Sequence, residues 1–229
     1  MAKKFLFFDV DSTLIKIESM PSFHDYWFNF WLPSKRANRA IEYEDINTIM
    51  NTLNRLGVTQ RELNQRYYAF FADRQATDIR TCAEDWFAHV SRNKSAFWVK
   101  ESYNEIRRLR ALGVEPVLVS SSLIEIMRPI ARALGIAHIL SARLLRPGEI
   151  LKNRTISADI SCDSKATAIM LFLDEQQVSE ASCYAMGSDS SAIAMLELVG
   201  HPIALIGSPE LAAQARQRRW PTIRISRVA

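Results

Sequence analysis

From residue 5 to residue 9 the chain reads Phe-Leu-Phe-Phe-Asp, an apolar run that stops on a carboxylate. A short apolar run without alternation predicts a strand buried on both faces. The period then changes. Phe23, Trp27, Phe30 and Trp31 fall at i, i+4, i+7 and i+8, one face of a helix, and Ile46, Ile49, Met50 and Leu53 repeat the spacing. Thr59 followed three residues later by Glu62 reads as a capping box opening a further helix. No strand pattern occurs between about residues 20 and 112.

Beyond that point strands and helices alternate. Residues 101–113 form an amphipathic helix closed by Gly113, and residues 114–122 a strand running into Ser120, Ser121 and Ser122. A helix over 123–135 ends at Gly135. Residues 137–156 suggest short strands around a Pro147-Gly148 turn. A helix follows with Asp163 or Ser164 near its cap, then a strand entering the small-residue loop at 187–191 and a helix ending near Gly200. A strand at 202–207, a helix opened by Pro209 and a last strand at 221–226 complete the pattern. This alternation predicts an α/β fold: a Rossmann-like parallel sheet covered on both faces, with a helical insertion after the first strand.

The chain has 229 residues, 48% hydrophobic, enough for a sizeable core. Its net charge of +4 is spread out. The denser spots, Arg107, Arg108 and Arg110, and Arg216, Arg218 and Arg219, fall near helix ends, where cations suit the helix dipole. A nucleic-acid partner would need a tighter basic stripe. Three separated cysteines, Cys82, Cys162 and Cys183, give neither a disulfide framework nor a zinc site, which fits a cytoplasmic location. The apolar start is too short for a signal peptide, and no stretch reaches the length of a membrane span. Nothing in the sequence sets an oligomeric state.

Ligands of open parallel sheets bind at the carboxyl ends of strands. Three strands here end in polar clusters: Asp9 to Thr13, Ser120 to Ser122, and Gly187 to Ser191. Lys165 lies near the start of another helix. This inventory suits phosphate chemistry. One carboxylate can attack phosphorus, and a second can shuttle the proton of the leaving alcohol. A lysine and serine hydroxyls can hold the phosphoryl oxygens, with Mg²⁺ beside them. Asp9 and Asp11 can serve one site only if the chain curls just after Asp9.

The sequence Asp-Val-Asp-Ser-Thr-Leu at 9–14 resembles the first motif of the haloacid dehalogenase superfamily, and the nearest likeness is to its phosphoserine-phosphatase-like subfamily IB. Val117 to Ser122 resembles the second motif, Lys165 the third, and Gly187 to Pro202 the fourth; Arg219-Trp220-Pro221 extends the likeness to the C-terminal end. The resemblance implies a core of residues 1–18 and 97–229 and a C1-type helical cap of residues 19–96. It implies Mg²⁺-dependent hydrolysis of a small phosphomonoester through an aspartyl-phosphate. Asp9 would be the nucleophile and Asp11 the general acid and base. Ser120, Ser121 and Lys165 would bind phosphate, and Asp9, Asp11 (through its carbonyl) and Asp189 would bind the metal.

The fourth motif departs from the family pattern. Its two metal-binding aspartates fall on Ser188 and Ala192, and Asp189 stands one place away. This opens the alternative of a catalytically impaired phosphate-ligand binder or pseudoenzyme; a separate alternative is a phosphotransferase, which passes the aspartyl-phosphate to an acceptor other than water. Glu18, nine residues after Asp9, matches a substrate-facing glutamate of phosphoserine phosphatases; the matching arginine is left among Arg55, Arg66, Arg74 and Arg80. Blander roles stand beside these: helix capping for Ser120 to Ser122 and for Asp189, an exposed loop acid for Glu18. The aromatic stretch 23–31 reads as cap core before substrate wall, and His24 as a packing residue.

Overall fold

The first apolar run forms β1 (Lys4–Asp9). Its odd residues Phe5 and Phe7 enter one apolar cluster and its even residues Leu6 and Phe8 another, both fully buried. A strand with two buried faces has no polar alternation, which is why its sequence reads as continuous. The computed structural model describes residues 3–35, 46–156 and 164–225.

Among the described residues six α-helices follow: α1 (Ser19–Tyr26), α2 (Leu32–Lys35), α3 (Ile46–Arg55), α4 (Gln60–Ala69), α5 (Ala76–Val90) and α6 (Lys94–Phe97). Thr59 and Glu62 make the reciprocal capping box at the start of α4. Between α1 and α2, residues Trp27–Trp31 form a π-helical turn, with the Leu32 N–H reaching back to the Trp27 carbonyl. The wider turn shifts the register. Phe23, Trp27 and Trp31 stay buried, whereas Phe30, expected on the same face, is 56% exposed. Met50 is buried and Leu53 packs against the core; the side chains of Ile46 and Ile49 lie outside the described ones. His24 is buried against Phe28 and Phe70, in keeping with a packing role.

The remaining elements are α7 (Lys100–Ala111), β2 (Val114–Leu123), α8 (Ile124–Ala133), β3 (His138–Ala142), α9 (Ser164–Gln176), β4 (Tyr184–Gly187), α10 (Ile193–Leu198), β5 (His201–Ile206), α11 (Pro209–Arg218) and β6 (Thr222–Arg224). All strand pairs are parallel, in the order β3-β2-β1-β4-β5-β6. The direction of travel across the sheet reverses between β1 and β4, so a crevice opens at their carboxyl ends. Of the strands expected between 137 and 156, only β3 is continuous. The rest makes isolated bridges, Gln75 with Ile150 and Leu144 with Thr155, around the positive-φ Gly148. Asp163 and Cys162 and the side chain of Ser164 lie outside the described residues.

The apolar cluster on the even face of β1 runs without a break from Leu6 and Phe8 into Phe23, Trp27, Phe71 and Trp86 of the helical insertion. The odd face packs on α9, α10 and α11. The insertion is tied to the core where the chain enters and leaves it: Lys16 N–H donates to the Phe97 carbonyl, and Val99 N–H to that of Leu14.

Candidate active site

After Asp9 the chain turns at once. The Val10 carbonyl accepts from the N–H groups of Thr13, Leu14 and Ile15 at 3.2, 2.8 and 3.1 Å, and Ser12 takes a positive φ of 56°. This is the curl that two carboxylates serving one site require. Asp9 and Asp11 both line a cavity of about 650 Å³ at the carboxyl edge of the sheet. Ser120, Ser121 and Ser122 from β2, Lys165 from α9, and Asp189 and Ser191 beyond β4 line it too. The three polar clusters therefore converge.

Asp9 sits at the floor. Its Oδ1 accepts from the Val10 N–H at 2.9 Å, and its Oδ2 accepts from Lys165 Nζ at 2.9 Å, with both side chains almost fully buried. Lys165 also reaches Ser191 Oγ at 3.3 Å. Asp9 lies two residues beyond Phe7, on the face of the sheet that α9 covers, and Lys165 is the second residue of α9. Strand alternation and a helix start thus set the pair.

Asp11 faces the insertion. The Ser19 N–H donates to its Oδ1 at 3.1 Å, and Ser19 Oγ lies 3.0 Å from its Oδ2 and 2.6 Å from Ser122 Oγ. Burial, then the charge of Glu18, and more weakly that of Asp9, push the Asp11 carboxyl up to about 8, against the Ser19 hydrogen bonds. A protonated Asp11 fits this chain of contacts, since its O–H can donate to Ser19 Oγ while that hydroxyl donates to Ser122. Glu18 stands at the cavity mouth and accepts from Ser12 Oγ at 3.0 Å; burial raises its carboxyl, helped by Asp9 and Asp189.

The loop after β4 packs tightly under the site. Ser188 is buried, and its Oγ accepts from Thr13 Oγ1 at 2.9 Å. Ala192 packs on Gly187 so closely that a Cβ at Gly187 would lie 2.2 Å from the Ala192 Cβ. Asp189 Oδ1 accepts from the Ser191 N–H at 2.8 Å and caps the 3-10 turn Ser190–Ala192, which runs straight into α10, in keeping with the helix-capping role.

The sequence model of the haloacid dehalogenase-like hydrolases matches residues 6–197. The chain belongs to this family. A probable phosphatase of Mycobacterium tuberculosis is 25% identical over 239 residues, covering 99% of this chain and 77% of that protein. A Bordetella pertussis protein of unknown function superposes with a TM-score of 0.83 at 21% identity, covering 97% of this chain and 99% of that one. A substrate-bound phosphoserine phosphatase superposes at 0.64 with 16% identity, covering 97% and 93%. These structural likenesses show the haloacid dehalogenase fold.

Every sequence-predicted site residue reaches the cavity: Asp9, Asp11, Glu18, Ser120, Ser121, Lys165 and Asp189. The serines do not cap α8, whose N-cap is Leu123. Arg55, Arg66, Arg74 and Arg80 do not line the cavity, and Arg80 pairs with Glu149 at 2.7 Å. Sequence reasoning missed Ser19, Asn64 and Tyr67. Ser19 carried a sequence clue, a serine opening a helix soon after Glu18; nothing marked Asn64 or Tyr67 apart from other helix residues.

Mg²⁺ takes one or two carboxylates and keeps several waters. Asp9 and Asp189 line one cavity and meet that need. Among the described residues no three His, Cys, Asp or Glu side chains gather as a metal site. Ser188 is engaged by Thr13 and Ala192 is packed away, so the donor set suits a sparsely held Mg²⁺.

Proposed function

We propose that the chain is a phosphomonoester hydrolase that works through an aspartyl-phosphate on Asp9. The observation that carries this reading is the pairing, in one cavity, of an Asp9 carboxylate held by Lys165 with an Asp11 carboxyl pushed up to about 8. One is poised as nucleophile and the other as acid.

In the first step an Asp9 carboxylate oxygen forms a bond to phosphorus as the bond from phosphorus to the ester oxygen breaks. Asp11 gives its proton to the departing alkoxide. In the second step the Asp11 carboxylate takes a proton from water, whose oxygen attacks phosphorus and releases inorganic phosphate and the Asp9 carboxylate. Lys165, Ser120 and Ser121 hold the phosphoryl oxygens. Mg²⁺ would be held by Asp9, Asp189 and the Asp11 carbonyl, and when bound it neutralises charge between carboxylate and phosphate. Residues 19–96 act as the cap over the cavity, with Glu18 at its mouth as a substrate contact. The relative named as a probable phosphatase and the likeness to phosphoserine phosphatase structures support this reading.

A second reading rests on Ser188 and Ala192. With their hydroxyl and methyl in place of carboxylates, the site could bind phosphate esters and turn them over feebly. Hydrolysis of p-nitrophenyl phosphate with and without Mg²⁺, beside Asp9→Asn, separates the two. Metal-dependent turnover lost in the variant supports the hydrolase. Phosphate binding without turnover under any metal supports the binder. Added alcohols that divert product from free phosphate would instead indicate a phosphotransferase.

A further inference from the structure

The cavity has two unlike halves. Its floor is polar, built from Asp9, Ser120, Ser121, Lys165 and Asp189. Its roof comes from the helical insertion: Met20 and Pro21 of α1, Met50 of α3, and Leu63 and Tyr67 of α4. Met20, Met50, Leu63 and Tyr67 are each at most 7% exposed, so their exposed remainder faces the cavity rather than bulk solvent. Asn64, between Leu63 and Tyr67 on α4, and the Tyr67 hydroxyl add two neutral polar groups.

Charge divides the halves further. Among the described residues four acids line the cavity, Asp9, Asp11, Glu18 and Asp189. Among the described lining residues Lys165 is the one cation, and it is engaged with Asp9. Asp189 stands close enough for its charge to act on the Glu18 carboxyl. A phosphate can enter against Lys165 and the serines. A second anionic group on the same ligand would meet the like charges of Glu18 and Asp189, with only the neutral Asn64 amide and Tyr67 hydroxyl as polar neighbours among the described lining residues of the roof, a poor exchange for the water it loses.

We infer that the substrate is a phosphomonoester of an uncharged, apolar alcohol, an alkyl or aryl phosphate, whose organic part lies against Met20, Pro21, Met50, Leu63 and Tyr67. This rests on the hydrolase reading of Asp9, and it sets that reading apart from phosphoserine hydrolysis. The volume of about 650 Å³ suits it, being within the range of sites that enclose ligands much larger than an amino-acid phosphate. Burial of each added methylene against the roof should tighten binding roughly fourfold.

Calorimetric titration of the full chain carrying Asp9→Asn with ethyl, butyl, hexyl and phenyl phosphate and with O-phospho-L-serine tests this directly, because binding is read without turnover. The expected result is an affinity that climbs with alkyl length and exceeds that of phosphoserine from butyl phosphate onward. Phosphoserine binding as tightly as butyl phosphate, or a flat alkyl series, overturns the inference. Leu63→Asn should flatten the alkyl series while leaving inorganic phosphate affinity unchanged; an undiminished slope in that variant also counts against it. The two readings fail separately. A rising alkyl series without wild-type hydrolysis refutes the hydrolase reading alone, and efficient hydrolysis of phosphoserine with a flat alkyl series refutes this one alone.

Discussion

Replacing Asp11 by asparagine isolates the protonation that the acid role requires. An amide reproduces the neutral carboxyl in shape: its oxygen can accept from the Ser19 N–H, and its NH₂ can donate to Ser19 Oγ, the contacts now at 3.1 and 3.0 Å. The folded wild-type carboxyl titrates near 8, against about 4 for an unfolded chain. Between those values the folded protein holds a proton that the unfolded chain has lost. Wild-type stability from this group is therefore complete below about pH 4, declines as pH rises, and levels off above about pH 8. The slope in mid-window is about 1.4 kcal/mol per pH unit. The whole window sets a ceiling of roughly 6 kcal/mol; Asp11 keeps some solvent contact, so about half that is expected. The variant lacks this slope. Urea unfolding of both proteins at several pH values from 5 to 8, in EDTA, should show the variant gaining on wild type by about 2–3 kcal/mol. A difference that stays constant, or that shrinks as pH rises, refutes the argument that burial and Glu18 hold Asp11 protonated. The same variant should lose turnover of unactivated alkyl phosphates most, because these need a protonated leaving group.

Three further outcomes follow from the packing. Lys165→Met removes the cation 2.9 Å from a nearly buried carboxylate, and chemical denaturation at pH 7 should show a loss of about 3–5 kcal/mol together with weakened phosphate binding; an unchanged midpoint would mean that the pair contributes nothing. Gly187→Ala would drive a Cβ to 2.2 Å from that of Ala192, so a fall in Tm is expected, whereas the paired change Gly187→Ala with Ala192→Gly should recover much of it. Thr59→Ala breaks the capping box of α4 and should cost about 1 kcal/mol in urea unfolding, with phosphate affinity at the distant floor unchanged.

Much of this architecture can be read from local chemistry. β1 is legible because both of its faces are buried, and the box at Thr59 because capping is settled within four residues. The polar floor is legible because strand ends in a parallel sheet must converge. Other features depend on contacts that no local window contains. Phe30 fits the helical face on paper, and it is the π turn at Trp27–Trp31 that rotates it into solvent. The segment after β3 looks strand-like, yet it bridges to Gln75 and folds back on itself instead of joining the sheet. The Asp11 environment rests on Ser19 meeting Ser122 across 103 residues, and the apolar roof on three separate helices. Helical spacing identifies Met50, Leu63 and Tyr67 as buried, but it does not separate burial in a core from burial against a cavity.

The proposed hydrolysis requires Asp9 to carry the phosphoryl group. The decisive measurement is to quench the wild-type protein during turnover of an aryl phosphate, reduce it with borohydride, and map the product by peptide mass spectrometry. Reduction of an aspartyl-phosphate yields homoserine, and the account predicts it at position 9 and nowhere else. Sustained turnover with Asp9 left unmodified, or with the modification at another acid, would contradict it.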